Sequence, residues 1–381
     1  MSTAPAARTR PSNRREMVVG AATELFATRG YENVGMSDVA DGVGVRPSAL
    51  YRHFANKESL LAEVFAAYVG SLCDALDSGA QSSGPPDAAL QALIDAVLKD
   101  RVAGRLWIRE SRYLPAEYSA EVRETLLVRL DVIVGSPDDG RRSRPRSVAV
   151  LGVVLSVALH ASESTTPPMR DLLATLVRRA ASGPLSPTEI ERAAASPTGL
   201  PRVSKREQIL AAAVDLFADR TYNGVGMEDI AAAVDLASSS IYNHFSSKGE
   251  ILAVALHRGN GFIQVSLDDA LAASDCQADA LQAVVATYAG FAVRHPGMVQ
   301  VTVSEAGELS EHDSGVLRDA QRGYIDEWVH LCTHLSEEDS AARRVTVMST
   351  VTAINDLARS SPDSDEAFVA TYGRQILGLP V

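Results

Sequence analysis

Two short stretches hold the residues that could do chemistry. "RPSALYRHFANKESLL" runs from Arg46 to Leu61, and "SSSIYNHFSSKGEIL" from Ser238 to Leu252. Their common skeleton is a small polar residue, an aliphatic-Tyr-x-His-Phe core, a polar gap, a lysine and a return to apolar residues. In the first stretch Arg46, Ser48 and Arg52 can donate to base edges or phosphates, and Tyr51 and His53 can hydrogen-bond phosphate oxygens. Lys57 opens the next helix, where free backbone N–H groups and the helix dipole already favour an anion. Leu50 and Phe54 would hold the segment in place from inside. An isolated Tyr-x-His-Phe also fits a core aromatic cluster with a satisfied histidine. Two copies in the same frame favour the polyanion-contacting reading.

The elements that must position these residues are themselves repeated. Residues 14–65 align with 205–256 at a fixed offset of 191 without a gap, and 22 of the 52 paired positions are identical. After about residue 70 the likeness fades, so a long unit has been duplicated and its second half has diverged. In the first copy Val18, Ala22, Leu25 and Phe26 recur at helical spacing, and Gly30 follows as a stop. "GMSDVADGVG" reads as a short helix between Gly35 and Gly44, and Pro47 to Phe54 as another, with proline in its first turn. From Lys57 a longer amphipathic helix puts Leu60, Leu61, Val64, Phe65 and Tyr68 on one face. Two short helices joined by a glycine turn make a helix-turn-helix, whose second helix enters the major groove.

These motifs resemble the TetR family of bacterial transcriptional repressors, in its tandem, single-chain form. The likeness rests on A-x-x-L-F-x-x-x-G-Y in the first helix, D-[VI]-A in the second, L-Y-x-H-F in the recognition helix and K-E-x-L-L after it. The resemblance implies DNA contacts at Arg46, Pro47, Ser48, Tyr51, Arg52, His53 and Lys57, and in the second copy at Ser238, Ser239, Ser240, Tyr242, Asn243, His244 and Lys248. The copies differ: Arg46 becomes Ala237 and Arg52 becomes Asn243, so the second reading head is neutral where the first is cationic. Asparagine suits adenine and arginine suits guanine, so the heads should read different half-sites. Gly30 becomes Thr221 and Gly44 becomes Asp235, changes expected to distort the second head's turns.

The resemblance also implies an all-α fold of two tandem units. Each has an N-terminal three-helix helix-turn-helix domain and a helical effector domain, and the two pack as an intramolecular pseudo-dimer. The expected division is a basic flexible arm over 1–13, a first head over 14–58 and a first effector and dimerisation-like domain over 59–182. A linker with a possible short helix at Pro187–Ala195 spans 183–203, followed by a second head over 204–249 and a second effector domain over 250–381. Family members bind as two-fold dimers with recognition helices about 34–36 Å apart. A fused pair would supply both from one chain, at high effective concentration. The apolar helices Val148–Ala161 and Asp171–Ala181, with Ala341–Arg359 and Glu366–Leu377, would form the interface.

The effector halves could enclose a small hydrophobic effector, an acyl or sterol derivative, with Trp107 and Tyr113 as walls in the first and Tyr288, Phe291, Met298 and Trp328 in the second. Aromatic residues at helical spacing also serve as plain core. An architectural or activating DNA binder without any ligand is the alternative role. The expected partners are therefore double-stranded operator DNA and that effector, with the chain acting as a monomeric pseudo-dimer or a homodimer.

Composition narrows the remaining classes. A net charge of −12 argues against indiscriminate binding to polyanions, although Arg8, Arg10, Arg14 and Arg15, then Arg202, Lys205 and Arg206, cluster just before each head. Arg141, Arg142, Arg144 and Arg146 read as a solvated loop between "GSPDDG" and the next helix. Cys73, Cys276 and Cys332 are scattered and form no disulfide framework. His160 with Glu163 lacks a nucleophile, and His330 with His334 lacks a third ligand, so neither an enzyme nor a metal or cofactor site is expected. The basic start has no apolar signal core, and the run Val148–Leu159 is too short to cross a bilayer, so a cytoplasmic protein with no membrane partner is expected.

Overall fold

A computed structural model describes residues 11–81, 87–135, 143–159, 167–185, 202–335, 339–360 and 365–380, and within them every regular element is helical. The first unit runs α1 (Pro11–Arg29), α2 (Met36–Gly42), α3 (Pro47–Leu50), α4 (Lys57–Gln81), α5 (Asp87–Lys99), α6 (Arg101–Glu110), α7 (Ala116–Val134), α8 (Arg144–Ser156) and α9 (Pro167–Ala181). The second repeats the order with α10 (Lys205–Arg220), α11 (Met227–Ala233), α12 (Lys248–Ala272), α13 (Gln277–Arg294), α14 (Pro296–Glu305), α15 (Glu311–Leu331), α16 (Ser340–Ser360) and α17 (Glu366–Leu377).

Each head is built on the same buried positions. Ala22 and Phe26 of α1 are matched by Ala213 and Phe217 of α10, all at 1% exposure or less. The long fourth helix of each unit then carries the head onto the effector domain. In α4 the stripe Leu60, Leu61, Val64, Phe65, Tyr68 and Leu72 is buried against α1, α5 and α7. By length and composition α4 could cross a membrane, but that stripe belongs to the protein's own core.

The two units close on each other through their last helices. Along α8, Val148 to Leu155 is buried throughout, because α8 packs on α9 on one side and on α16 of the other unit on the other. Gly152 makes that crossing possible: a Cβ there would lie 2.8 Å from Ala353 Cα. Nearby, the Ser156 and Ser349 hydroxyls share a hydrogen bond of 2.8 Å within the seam. Arg179 of α9 donates to the Ile376 carbonyl at 3.0 Å, and Tyr372 of α17 to the Pro184 carbonyl at 2.6 Å. Burying each valine or leucine contributes roughly 1.5–3 kcal/mol, so this four-helix seam is a main source of the pseudo-dimer's cohesion.

Some expected boundaries shift. Residues 1–10 of the expected arm lie outside the described residues, whereas 11–13 already form the first turn of α1. The linker helix at 187–195 lies outside them too, as do Arg141, Arg142, His160 and Glu163. Arg144 and Arg146 are not loop residues. Arg144 pairs with Glu124 and Asp131 at 2.7 Å each, and Arg146 donates to the Gly183 carbonyl at 2.7 Å.

Candidate nucleic-acid interface

Each head begins with a turn that needs left-handed backbone. Gly30 has φ +81° and Gly44 φ +67°. At the matching positions Thr221 has φ +69° and Asp235 φ +53°. The second head therefore keeps the path of its turns, and the expected distortion is absent. Tertiary packing imposes the geometry, and a β-branched residue there is strained by roughly 1–3 kcal/mol. Thr221 recovers part of this by accepting the Gly224 N–H on its hydroxyl at 3.2 Å. The second helix of each head is capped alike: Asp38 accepts the Gly35 N–H at 2.6 Å and Asp229 the Gly226 N–H at 2.7 Å.

The reading segments are shorter helices than their sequence suggests. In the first, only Pro47–Leu50 is α-helical, and His53 N–H then closes on the Leu50 carbonyl at 2.8 Å. In the second, a 3-10 turn at Ile241–Asn243 takes the place of a helix. Both segments are anchored from inside, by Leu50 and Phe54 or by Ile241 and Phe245, all buried. Arg15 stacks over Phe54 at 5.1 Å and pairs with Glu63 at 2.8 Å. Its counterpart Arg206 stacks over Phe245 at 3.9 Å and donates to the His244 carbonyl.

This anchoring leaves Arg46, Pro47, Ser48, Tyr51, Arg52 and His53 exposed together on the first head. On the second, Ala237, Ser238, Ser239, Tyr242 and Asn243 are exposed, with Ser240 and His244 half-buried. Tyr51 and Tyr242 are 56% and 55% exposed, unusual for aromatic rings with an inward alternative. These surfaces can donate hydrogen bonds outward; only the first also offers two guanidinium groups.

Lys57 and Lys248, expected as DNA contacts, are held by the protein's own backbone carbonyls. Lys57 Nζ donates to the Tyr31 carbonyl at 2.8 Å and lies 4.1 Å over the Tyr31 ring. Lys248 Nζ donates to the Tyr222 and Val225 carbonyls at 2.7 and 2.8 Å and lies 4.1 Å over Tyr222. Burial pulls both ammonium groups below their ordinary value, against the opposing pull of Glu32 on Lys57 and of Glu308 on Lys248. Burial likewise pushes Tyr31 up to about 12, with Glu58 and Glu32 adding to it. The lysines clamp the loop after the first helix to the start of the fourth.

The residues expected as ligand walls pack against other side chains. Trp107 packs edge-on against Phe65 at 5.7 Å, and Tyr113 lies at the head junction, 4.8 Å from Tyr31. In the second unit Tyr288 and Trp328 pack edge-on at 5.9 Å, with Tyr324 completing the cluster. Phe291 stacks on Phe262 at 5.5 Å, and Met298 sits against Gly259. These residues fill space with one another. None lines either of two surface clefts, one of about 670 Å³ beside Ser247, His257 and Asp313, the other of about 450 Å³ beside Arg178 and Gln375. Two further pairs between the units, Glu32 with Asn223 and Arg112 with Glu305, carried no signal of their own in the sequence.

Comparison with known proteins addresses what such heads do. The family model described as bacterial regulatory proteins, tetR family, matches residues 18–64 and again 209–255. The HTH-type transcriptional activator FasR of Mycolicibacterium smegmatis is 30% identical over 151 residues, covering 38% of this chain and 69% of FasR. The chain belongs to the TetR family. It is thus an all-α, tandem TetR-family protein and a DNA-binding transcriptional regulator. The HTH-type transcriptional repressor KstR2 of Rhodococcus jostii is 29% identical over 109 residues, 28% of this chain and 53% of that relative. A TetR-family transcriptional regulator from Bordetella parapertussis matches 46% of this chain and 93% of its own, at 20% identity and a TM-score of 0.43. These TetR-family relatives are regulators, not enzymes.

Proposed function

We propose that this TetR-family chain is a repressor that grips one operator with both of its heads and lets go when a small apolar ligand enters an effector half. The observation that carries the reading is the seam of α8, α9, α16 and α17, which builds within one chain what two identical chains would otherwise assemble. The second head therefore meets DNA already tethered to the first. Arg46 and Arg52 in one head, against Ala237 and Asn243 in the other, favour an operator of two unlike half-sites. Selection of duplexes from a random pool tests this. The expected consensus has two different half-sites about 10–10.5 base pairs apart, centre to centre. A perfect palindrome, or a single half-site, would contradict it.

The first unit is the better place for the ligand. Tyr68 is 3% exposed, and its hydroxyl is buried without a hydrogen-bond partner, beside Trp107 at 6.4 Å. An unpaired buried hydroxyl costs ~1–3 kcal/mol, which an acceptor on an acyl or sterol ligand would recover. At the matching position in α12 the residue is Gly259, and the Met298 sulfur lies 3.1 Å from where its Cβ would sit, so the second unit has filled the same space. Melting curves with an acyl and sterol panel, with and without operator, test the step. A ligand that raises the melting temperature and weakens operator binding, through a Tyr68-dependent site, is expected. No response to any member would favour a ligand-free DNA binder.

A further inference from the structure

The two heads touch each other directly. The Asn223 side-chain amide donates to the Glu32 carboxylate, and both residues are exposed in the loops that follow α10 and α1. They are the same position of the repeat, 191 residues apart. A contact between equivalent positions is what a two-fold relation between the heads would place on its axis. In a homodimer of either unit that position would face its own copy, carboxylate against carboxylate or amide against amide. Fusion has allowed the two copies to become complementary.

Behind this contact lies a second link between the units. Arg112, in the 3-10 turn Ser111–Tyr113 after α6, pairs with Glu305 at the end of α14. The side chains are 13% and 1% exposed, so the pair is largely shielded from solvent and salt. Arg112 lies 4.9 Å over the Tyr113 ring, and Tyr113 stacks against Tyr31, the neighbour of Glu32. Helix α6 packs on α1 of the first head, and α14 packs on α10 of the second. The ion pair therefore joins the two supports on which the heads rest. Among the described residues it has no counterpart: the turn Ala306–Glu308 matches Ser111–Tyr113, which puts Gly307 where a second arginine would be needed.

We infer that Glu32–Asn223 and Arg112–Glu305 are positioning residues, forming a strut that fixes the distance between the heads and so the half-site spacing the protein accepts. This rests on the reading that both heads grip one duplex. Each inserted base pair turns one half-site by about 34–36° around the DNA axis, so a rigid pair of heads must discriminate sharply.

The test uses full-length protein and the duplex it selects from a random pool, with one or two base pairs inserted or removed between the half-sites. Wild-type protein should lose at least about tenfold in affinity for a two-base-pair change, a part of the avidity that tethering supplies. Asn223→Asp sets two carboxylates against each other, and its penalty for the same change should fall below about threefold. Adding Glu32→Asn to that variant should restore the wild-type preference, which a merely structural defect would not. The double variant Arg112→Met with Glu305→Met should flatten the preference in the same way. Should that buried change fail to fold, the exposed pair still decides. A sharp wild-type optimum kept by Asn223→Asp would overturn the strut alone. Wild-type binding indifferent to spacing would overturn the two-headed reading, and the strut with it.

Discussion

Where the first head presents Arg46 and Arg52 to solvent, the second presents Ala237 and Asn243, on segments anchored by the same buried aliphatic and phenylalanine pair. Where the first turns on Gly30 and Gly44, the second turns on Thr221 and Asp235 with φ still positive. The inner residues have been held while the outer ones have drifted, even at the cost of backbone strain. A duplicated head can change what it reads, provided Phe217, Ile230, Ile241 and Phe245 keep its inside filled. The comparison extends below the heads, where the first unit keeps Tyr68 and the second fills the same space with Met298.

Separating the units should have the largest effect. Gly152→Val would push a branched side chain into the Ala353 backbone, and overpacking of this kind should cost about 3 kcal/mol or more. A fall of many degrees in melting temperature, with loss of binding to two-site DNA, is the expected outcome. The heads themselves come next. Arg46→Ala should cost ~1–3 kcal/mol at one half-site and lower the salt slope, leaving the other half-site's preference intact. Ala237→Arg should raise the salt slope and move the second head toward guanine. Competition assays with each half-site varied in turn would show whether the effects separate. Lys57→Met tests the clamp. It should lower stability by ~1–2 kcal/mol, the loss of the bond to the Tyr31 carbonyl and a cation–π contact, without changing the salt slope. A smaller slope would return the lysine to the phosphate-contact role. Thr221→Gly is the smallest change and has the opposite sign. Relief of strain, offset by unfolded-state entropy and a lost hydroxyl bond, should stabilise the second head by about 1 kcal/mol. Gly30→Thr should destabilise the first.

The heads were legible because their signals are local and doubled. The spacing of Val18, Ala22 and Phe26, the glycines and the recurring Tyr-x-His-Phe each specify nearby backbone, and the second copy repeats them. The seam was legible from the long apolar run at Val148–Leu155. The lysines' carbonyl partners were not legible, because they lie some 26 residues upstream, which no local pattern reveals. The packing of the effector halves was hidden for a related reason: spacing places Tyr288 and Trp328 inward but does not tell whether they face a void or each other. Arg112 and Glu305 come from different units, and only the folded seam brings them within reach.

Tyr372 grips the Pro184 carbonyl and Arg179 grips that of Ile376, so the segment leaving the first half is fastened to the last helix of the second. Cohesion thus resides in side chains across the join, while the covalent connection contributes proximity. Separately synthesised halves, cut between residues 185 and 202, should reassemble on mixing into a working heterodimer. Neither half alone should partner itself as well, because complementary groups would then meet their own kind.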